Sequence, residues 1–167
     1  MKRTLITALG IMFILTLNAQ NYTLNDIVEG KFTPMGVSAM VSSSDGLYYY
    51  QNDALNTSVI KYSYSSAEAV DTLFSTLTAR NCPFDTFEGF LVSDDENRVL
   101  VYREREKIYR HSYKATYYYH DVRCNLLRKL SEQSSKQMIP TFSPDSKMVA
   151  YVIGGNIWLT KFDFDTE

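Results

Sequence analysis

Asp45, Asp95 and Asp145 stand fifty residues apart, and each follows a serine placed two positions earlier. The three surrounding segments align over their whole length: Met40–Tyr49, Phe90–Val99 and Thr141–Ala150. In each, an apolar strand runs into Ser-x-Asp-x, and the chain then resumes an apolar or aromatic strand: Leu47–Gln51, Arg98–Arg105 and Lys147–Ile153. Serine and aspartate side chains accept hydrogen bonds from turn N–H groups, so the unit reads as a β-hairpin. Further strands follow in phase. Ser58–Tyr64 and Ala69–Phe74 flank Ser65-Ser66, Ala115–Val122 and Leu126–Leu130 flank Arg123-Cys124-Asn125, and Asn156–Phe162 completes what is present of the third unit.

Four antiparallel strands recurring every forty to fifty residues is the pattern of propeller blades. The competing arrangement is one β-sandwich whose turns fall at even spacing, which leaves the shared turn chemistry of three units unexplained. Aromatic content agrees with pleated, half-buried surfaces: 13 Tyr, 9 Phe and 1 Trp, clustered as at Tyr48–Tyr50 and Tyr117–Tyr119. The expected fold is therefore all-β, an incomplete β-propeller of about two and three-quarter four-stranded blades. Such a set cannot close a ring of about four to eight blades, and the last blade would leave an open edge and an uncovered apolar face. The chain is expected to be the front of a longer one. Helix is confined to residues 23–29, where Thr23–Asp26 resembles a capping box and Gly30 can end the turn.

Residues 1–19 stand apart from this pattern. Lys2 and Arg3 precede an apolar run from Leu5 to Leu17, and Asn18, Ala19 and Gln20 follow. That is the layout of a secretory signal peptide cut after Ala19, and the run is short of the ~20 residues of a membrane span. The domain plan is thus 1–19 signal peptide and 20–167 propeller region, with the mature protein periplasmic, on the cell surface or extracellular. Loss of residues 1–19 removes two basic residues and no acid, leaving 15 basic against 19 acidic residues and a net charge of −4. No basic stripe remains for nucleic acid. In an oxidising compartment Cys82 and Cys124 are free to pair, but two cysteines make no framework, and two buried free thiols are an equal reading.

The residues also carry a resemblance. From Tyr22-Thr23-Leu24-Asn25-Asp26-Ile27 onward the chain is similar to the start of the dipeptidyl peptidase IV family, within the prolyl-oligopeptidase clan of serine peptidases. The most specific match is Tyr109-Arg110-His111-Ser112-Tyr113-Lys114-Ala115-Thr116-Tyr117. Phe142-Ser143-Pro144-Asp145 with Met148–Val152 and Asn156-Ile157 match more weakly, since many propellers carry a Ser-Pro-Asp turn. The resemblance implies a propeller capping an α/β-hydrolase domain, with later blades and that domain as partners, and homodimer contacts made elsewhere. It implies removal of N-terminal X-Pro or X-Ala dipeptides by the complete enzyme. It assigns Arg110 to substrate binding, holding a peptide carbonyl; a guanidinium suits the role as a permanently charged, rigid fork of donors. The competing reading of Arg110 is a loop arginine paired with Glu104, Glu106 or Asp121. Tyr109 and Tyr113 are expected to pack around it as core or cavity wall.

No catalytic residue is assigned to this chain. The family's paired glutamates and its Ser-Asp-His triad fall beyond it, and Gly36–Met40 lacks the second glycine of a nucleophile elbow. His111 and His120 complete neither a triad nor a metal site, so no metal and no cofactor are expected. Arg103–Lys107 alternates in sign and reads as a solvated strand end and loop. A second functional class stays open: a non-catalytic exported propeller that binds a protein or glycan.

Overall fold

The computed structural model describes residues 22–33 and 39–162. The signal-peptide reading falls on residues 1–19, outside that range. The chain divides after Val37 into two compact units. In the first, α1 (Leu24–Val28) is a single capped turn and a half. Thr23 accepts from the Asp26 amide while the Asp26 carboxylate accepts from the Thr23 amide at 2.9 Å, so the capping box forms as expected. Lys31 reaches back to Asp26 at 2.6 Å and holds its carboxyl down at about 2. Gly30 follows at φ +71°.

The second unit is all-β, in three antiparallel sheets. The first runs β1 (Val41–Ser42), β2 (Tyr48–Asn52), β3 (Ser58–Ser63) and β4 (Ala69–Ser75). The second runs β5 (Gly89–Val92), β6 (Arg98–Lys107), β7 (Tyr113–Asp121) and β8 (Leu126–Lys129). The third has β9 (Met138–Phe142), β10 (Met148–Ile153) and β11 (Asn156–Lys161). In every sheet sequential strands are neighbours, so each is a meander: two full blades and three strands of a further one.

The three Asp turns are chemically superimposable. Ser43, Ser93 and Ser143 donate their hydroxyls to Asp45, Asp95 and Asp145 at 2.5, 2.7 and 2.6 Å. The same serine oxygens accept the amides of Tyr48, Arg98 and Met148, the first residues of β2, β6 and β10. The aspartates accept the amides of Leu47, Asn97 and Lys147. The residue after each aspartate is left-handed: Gly46 at φ +69°, Glu96 at +58° and Ser146 at +56°. Each amide at that position donates to the serine carbonyl, closing the turn. The repeat read from the serines and aspartates is thus one hydrogen-bonded device used three times.

Period-two alternation explains how the middle sheet holds its neighbours. Along β6, Val99 and Val101 enter a cluster with Tyr50, Val59, Phe74, Phe84 and Phe87 of the first-blade side. Leu100, between them, points the other way and packs with Tyr117, Tyr119, Val149, Tyr151 and Ile153. The Tyr117–Tyr119 run is split the same way, Tyr118 lying edge-on to Phe84 at 5.0 Å while its two neighbours face the third sheet. The middle blade is therefore buried on both faces, a layered packing rather than a single-faced sheet. Across the β6–β7 hairpin, Arg98 pairs in register with Asp121, and their side chains meet at 3.1 Å with both almost wholly buried. The outer face of the third sheet stays open, with Ile157 and Leu159 exposed. The sheets do not close into a ring.

The sequence reading placed the strands within a few residues, with two differences. β1 is only two residues long, and β6 continues through the alternating-sign run to Lys107. The run is a strand end as expected, but it contains a bulge between Arg103 and Glu106, where Glu104 takes φ +55°.

Candidate functional site

The hairpin loop 108–112 between β6 and β7 carries the candidate binding residue. The Ser112 carbonyl accepts from both Ile108 and Tyr109 amides, at 2.9 and 3.2 Å, and this clamp pushes Tyr109, Arg110 and His111 outward. Arg110 is exposed, on the loop where sequence reading puts it. Tyr109 is 79 % exposed and packs into no core, so of the two roles expected of it only that of a cavity wall remains; the clamp turns its side chain outward. Tyr113 does form a wall. Its ring lies 5.5 Å from Tyr102, which lies 5.3 Å from Tyr117, so the loop stands on a ladder of three phenols. Burial pushes the Tyr102 hydroxyl up to about 12 and raises Tyr117 further, so both stay neutral donors at physiological pH. Gly89 pairs with Tyr102 across β5–β6, and an added Cβ there would overlap the Tyr102 ring.

Two hollows flank this loop. One, of about 330 Å³, is largely apolar and is lined by Phe90, Tyr102, Tyr113, Met138, Ile139 and Pro140, between the second and third sheets. The other, of about 450 Å³, is polar and lies against Arg105, Lys107, Tyr109, Arg110 and Tyr113. His111 and Ser112 line both.

The three carboxylates that might have neutralised Arg110 are engaged elsewhere. Glu104 accepts from the Thr116 hydroxyl at 3.0 Å. Glu106 pairs with Lys114 at 3.1 Å and Lys136 at 3.8 Å. Asp121 pairs with Arg98 at 3.1 Å and Arg123 at 3.4 Å. Among the described residues Arg110 makes no ion pair, so the paired-arginine reading does not hold there.

The remaining titratable groups singled out in the sequence are structural in placement. His120 is buried, its Nε2 2.9 Å from Asn125 Oδ1 and its ring 5.1 Å from Phe74. Asn125 donates its own amide to the Thr78 carbonyl, which turns its oxygen toward the imidazole and makes Nε2 the protonated nitrogen. Cys82 and Cys124 are unpaired, Cys82 half-buried and Cys124 exposed, so the second thiol is not buried as one reading had it. What sequence reasoning missed is the Lys61–Glu96–Tyr50 group joining the first two blades, formed by residues 35 and 46 positions apart.

Sequential antiparallel meanders and a repeated Ser-x-Asp turn define a partial β-propeller. Comparison with known proteins places it further. Residues 93–167 match the family described as dipeptidyl peptidase IV (DPP IV) N-terminal region. The crystal structure of Porphyromonas gingivalis dipeptidyl peptidase 4 matches 89 % of this chain and 21 % of that one, with a TM-score of 0.80 and 44 % identity. A probable dipeptidyl-aminopeptidase B of Phaeosphaeria nodorum is 28 % identical over 87 % of this chain and 18 % of its own length. One from Tuber melanosporum is 32 % identical over 50 % of this chain and 9 % of its own. The chain belongs to the dipeptidyl peptidase IV family, as part of its N-terminal region. It spans about a fifth or less of the length of these relatives.

Proposed function

We propose that this chain is the N-terminal propeller portion of an exported dipeptidyl peptidase IV-like serine exopeptidase, and that it governs access and orientation of the peptide. The complete enzyme would remove N-terminal X-Pro or X-Ala dipeptides, its catalytic groups being supplied outside residues 20–167. Export rests on the signal-like residues 1–19 with Ala19 at the cut. Substrate orientation falls to Arg110. The observation that carries this is an exposed guanidinium with no counter-ion among the described residues, on a clamped loop beside two hollows. An unpaired fork of donors on a rigid scaffold is suited to a carbonyl that arrives with the ligand.

The test is kcat/KM of the complete enzyme on a dipeptide-proline chromogenic substrate, for the wild type, Arg110→Ala and Arg110→Lys. A charge-assisted hydrogen bond is worth about 1.5–3 kcal/mol, so Arg110→Ala should lower efficiency roughly ten- to a hundredfold. Arg110→Lys should recover little, because an ammonium lacks the fork. Folded variants, by thermal melt, with wild-type efficiency would remove the assignment.

A further inference from the structure

The alternating run Arg103–Lys107 sorts its charges in a way that a merely solvated strand end would not require. Its two acids are occupied away from the loop, Glu104 by the Thr116 hydroxyl and Glu106 by Lys114 and Lys136. Arg103 lies over the Phe84 ring at 4.9 Å. The other two cations, Arg105 and Lys107, line the same polar hollow of about 450 Å³ as Arg110. Three basic side chains thus surround one hollow in a chain whose net charge is −2. The only acid paired with any of them among the described residues is Glu88, 3.9 Å from Arg105, with both side chains about half exposed. Lys107, like Arg110, makes no ion pair there.

A concave site lined by one sign of charge concentrates ligands of the other. The donor set narrows the ligand: a guanidinium fork matches a planar two-oxygen anion, and an ammonium adds a point charge without directional demand. Tyr109 and Tyr113 supply aromatic faces on the same hollow for an aliphatic stem. We infer that Arg105, Lys107 and Arg110 form a carboxylate subsite, so that the protein favours peptides presenting a carboxylate close to the carbonyl held by Arg110. This rests on the reading of the propeller as a peptide-binding element. The carboxylate has two sources, an acidic side chain or the C-terminus of a short peptide.

Both are distinguished by calorimetric binding to the full-length protein of X-Pro tetrapeptides with a hydrolysis-resistant bond after the second residue. Glu or Gln is placed at the first or third position, each peptide as free acid and as C-terminal amide. With an exposed ion pair worth up to about fivefold, the carboxylate form should bind about three- to fivefold tighter than its neutral counterpart at low salt. The advantage should shrink in 0.5 M salt, where the Debye length falls to about 4 Å. A Glu-over-Gln preference identifies a side-chain carboxylate, and an acid-over-amide preference the C-terminus. Lys107→Gln and Arg105→Gln should each move the ratio toward one. Equal affinities throughout, or a preference untouched by both variants, overturns the subsite. Neutral peptides bound through Arg110 with no carboxylate effect overturn it alone; no binding of any peptide overturns the peptide-binding reading with it.

Discussion

Glu96, in the turn between β5 and β6, clasps Lys61 of β3 in the neighbouring blade with both carboxylate oxygens, at 2.7 and 2.6 Å. The same carboxylate accepts the Tyr50 hydroxyl at 2.7 Å, and Lys61 in turn lies over the Tyr48 ring at 4.1 Å. Glu96 sits where the first unit has Gly46, at a left-handed φ that costs an L-residue roughly 1–2 kcal/mol. At this turn the side chain also latches two sheets together. Glu96→Ala should destabilise by about 1–3 kcal/mol, since it strands a mostly buried lysine and a phenol while leaving the strain in place. Glu96→Gly should lose about 1 kcal/mol less than Glu96→Ala, having relieved the backbone. Urea unfolding of the two variants gives the order; Gly no better than Ala would mean the turn is unstrained.

The acid response should come in two stages. Burial holds the His120 pKa below its ordinary 6.5, against the pull of Asn125 and Asp121, so the folded state prefers the neutral ring. As pH falls below about 6.5 the unfolded chain takes up this proton first, and stability drops by up to about 1.4 kcal/mol per pH unit until the folded pKa is reached. The turn aspartates follow. Ser43 and Ser143 hold Asp45 and Asp145 below 3.8; at Asp95 burial opposes, but Asn97 and Ser93 outweigh it. Their stabilisation is present at neutral pH and is lost as pH falls below about 4. His120→Gln, which keeps a donor toward Asn125, should flatten the first stage and spare the second in denaturant midpoints measured from pH 7 to pH 3. An unchanged slope between pH 6.5 and 5 would assign that stage to another group.

Removing Asp121 should be far worse than removing Arg123. Asp121 is 1 % exposed and faces the buried Arg98, whereas the Arg123 side chain is half exposed. Asp121→Ala removes the buried carboxylate that faces the Arg98 guanidinium at 3.1 Å and should cost about 3–5 kcal/mol. Arg123→Ala should cost under about 1 kcal/mol. Thermal or urea melts decide, and similar losses would show that Asp121 is held mainly through Arg123.

The two thiols should be separable by rate. Cys82 is half-buried with its pKa raised by burial, and it donates to the Phe84 carbonyl; Cys124 is exposed. A disulfide-exchange reagent on native protein should label Cys124 at least about tenfold faster than Cys82, and both together in denaturant. No labelling until reduction would mean the pair is oxidised.

What the sequence made legible is local. The Ser-x-Asp turns announce themselves because both partners of each hydrogen bond lie within five residues. The strands beside them follow from alternation, and the loop that carries Arg110 from the gap between two of those strands. What stayed hidden depends on residues brought together from a distance. Lys61 and Glu96 are 35 positions apart, and nothing in either segment marks the partner. Arg103–Lys107 shows its alternation but not the bulge that extends β6 through it, nor which face takes the cations. Tyr109 reads equally as core or as cavity wall, and the Ser112 carbonyl, accepting two amides, decides against the core by turning it outward onto the polar hollow.

The two-sided burial of the middle sheet makes its side-chain pattern ambiguous as an instruction. Sliding β7 by one residue along β6 would turn Tyr117 and Tyr119 toward the first sheet and Tyr118 toward the third, exchanging one apolar surface for another. Hydrophobicity, which fixes pairing when one face is wet, discriminates little between these alternatives. The information must come from elements that cannot tolerate a slip. Arg98 opposite Asp121 is one, since displacement by a single position would leave a buried cation facing His120 or Val122. The Ser93–Asp95 turn is the other, fixing where β6 begins. In this protein the polar minority specifies the alignment and the apolar majority supplies the cohesion, so loss of that ion pair should generate misaligned folded forms as well as unfolded chain.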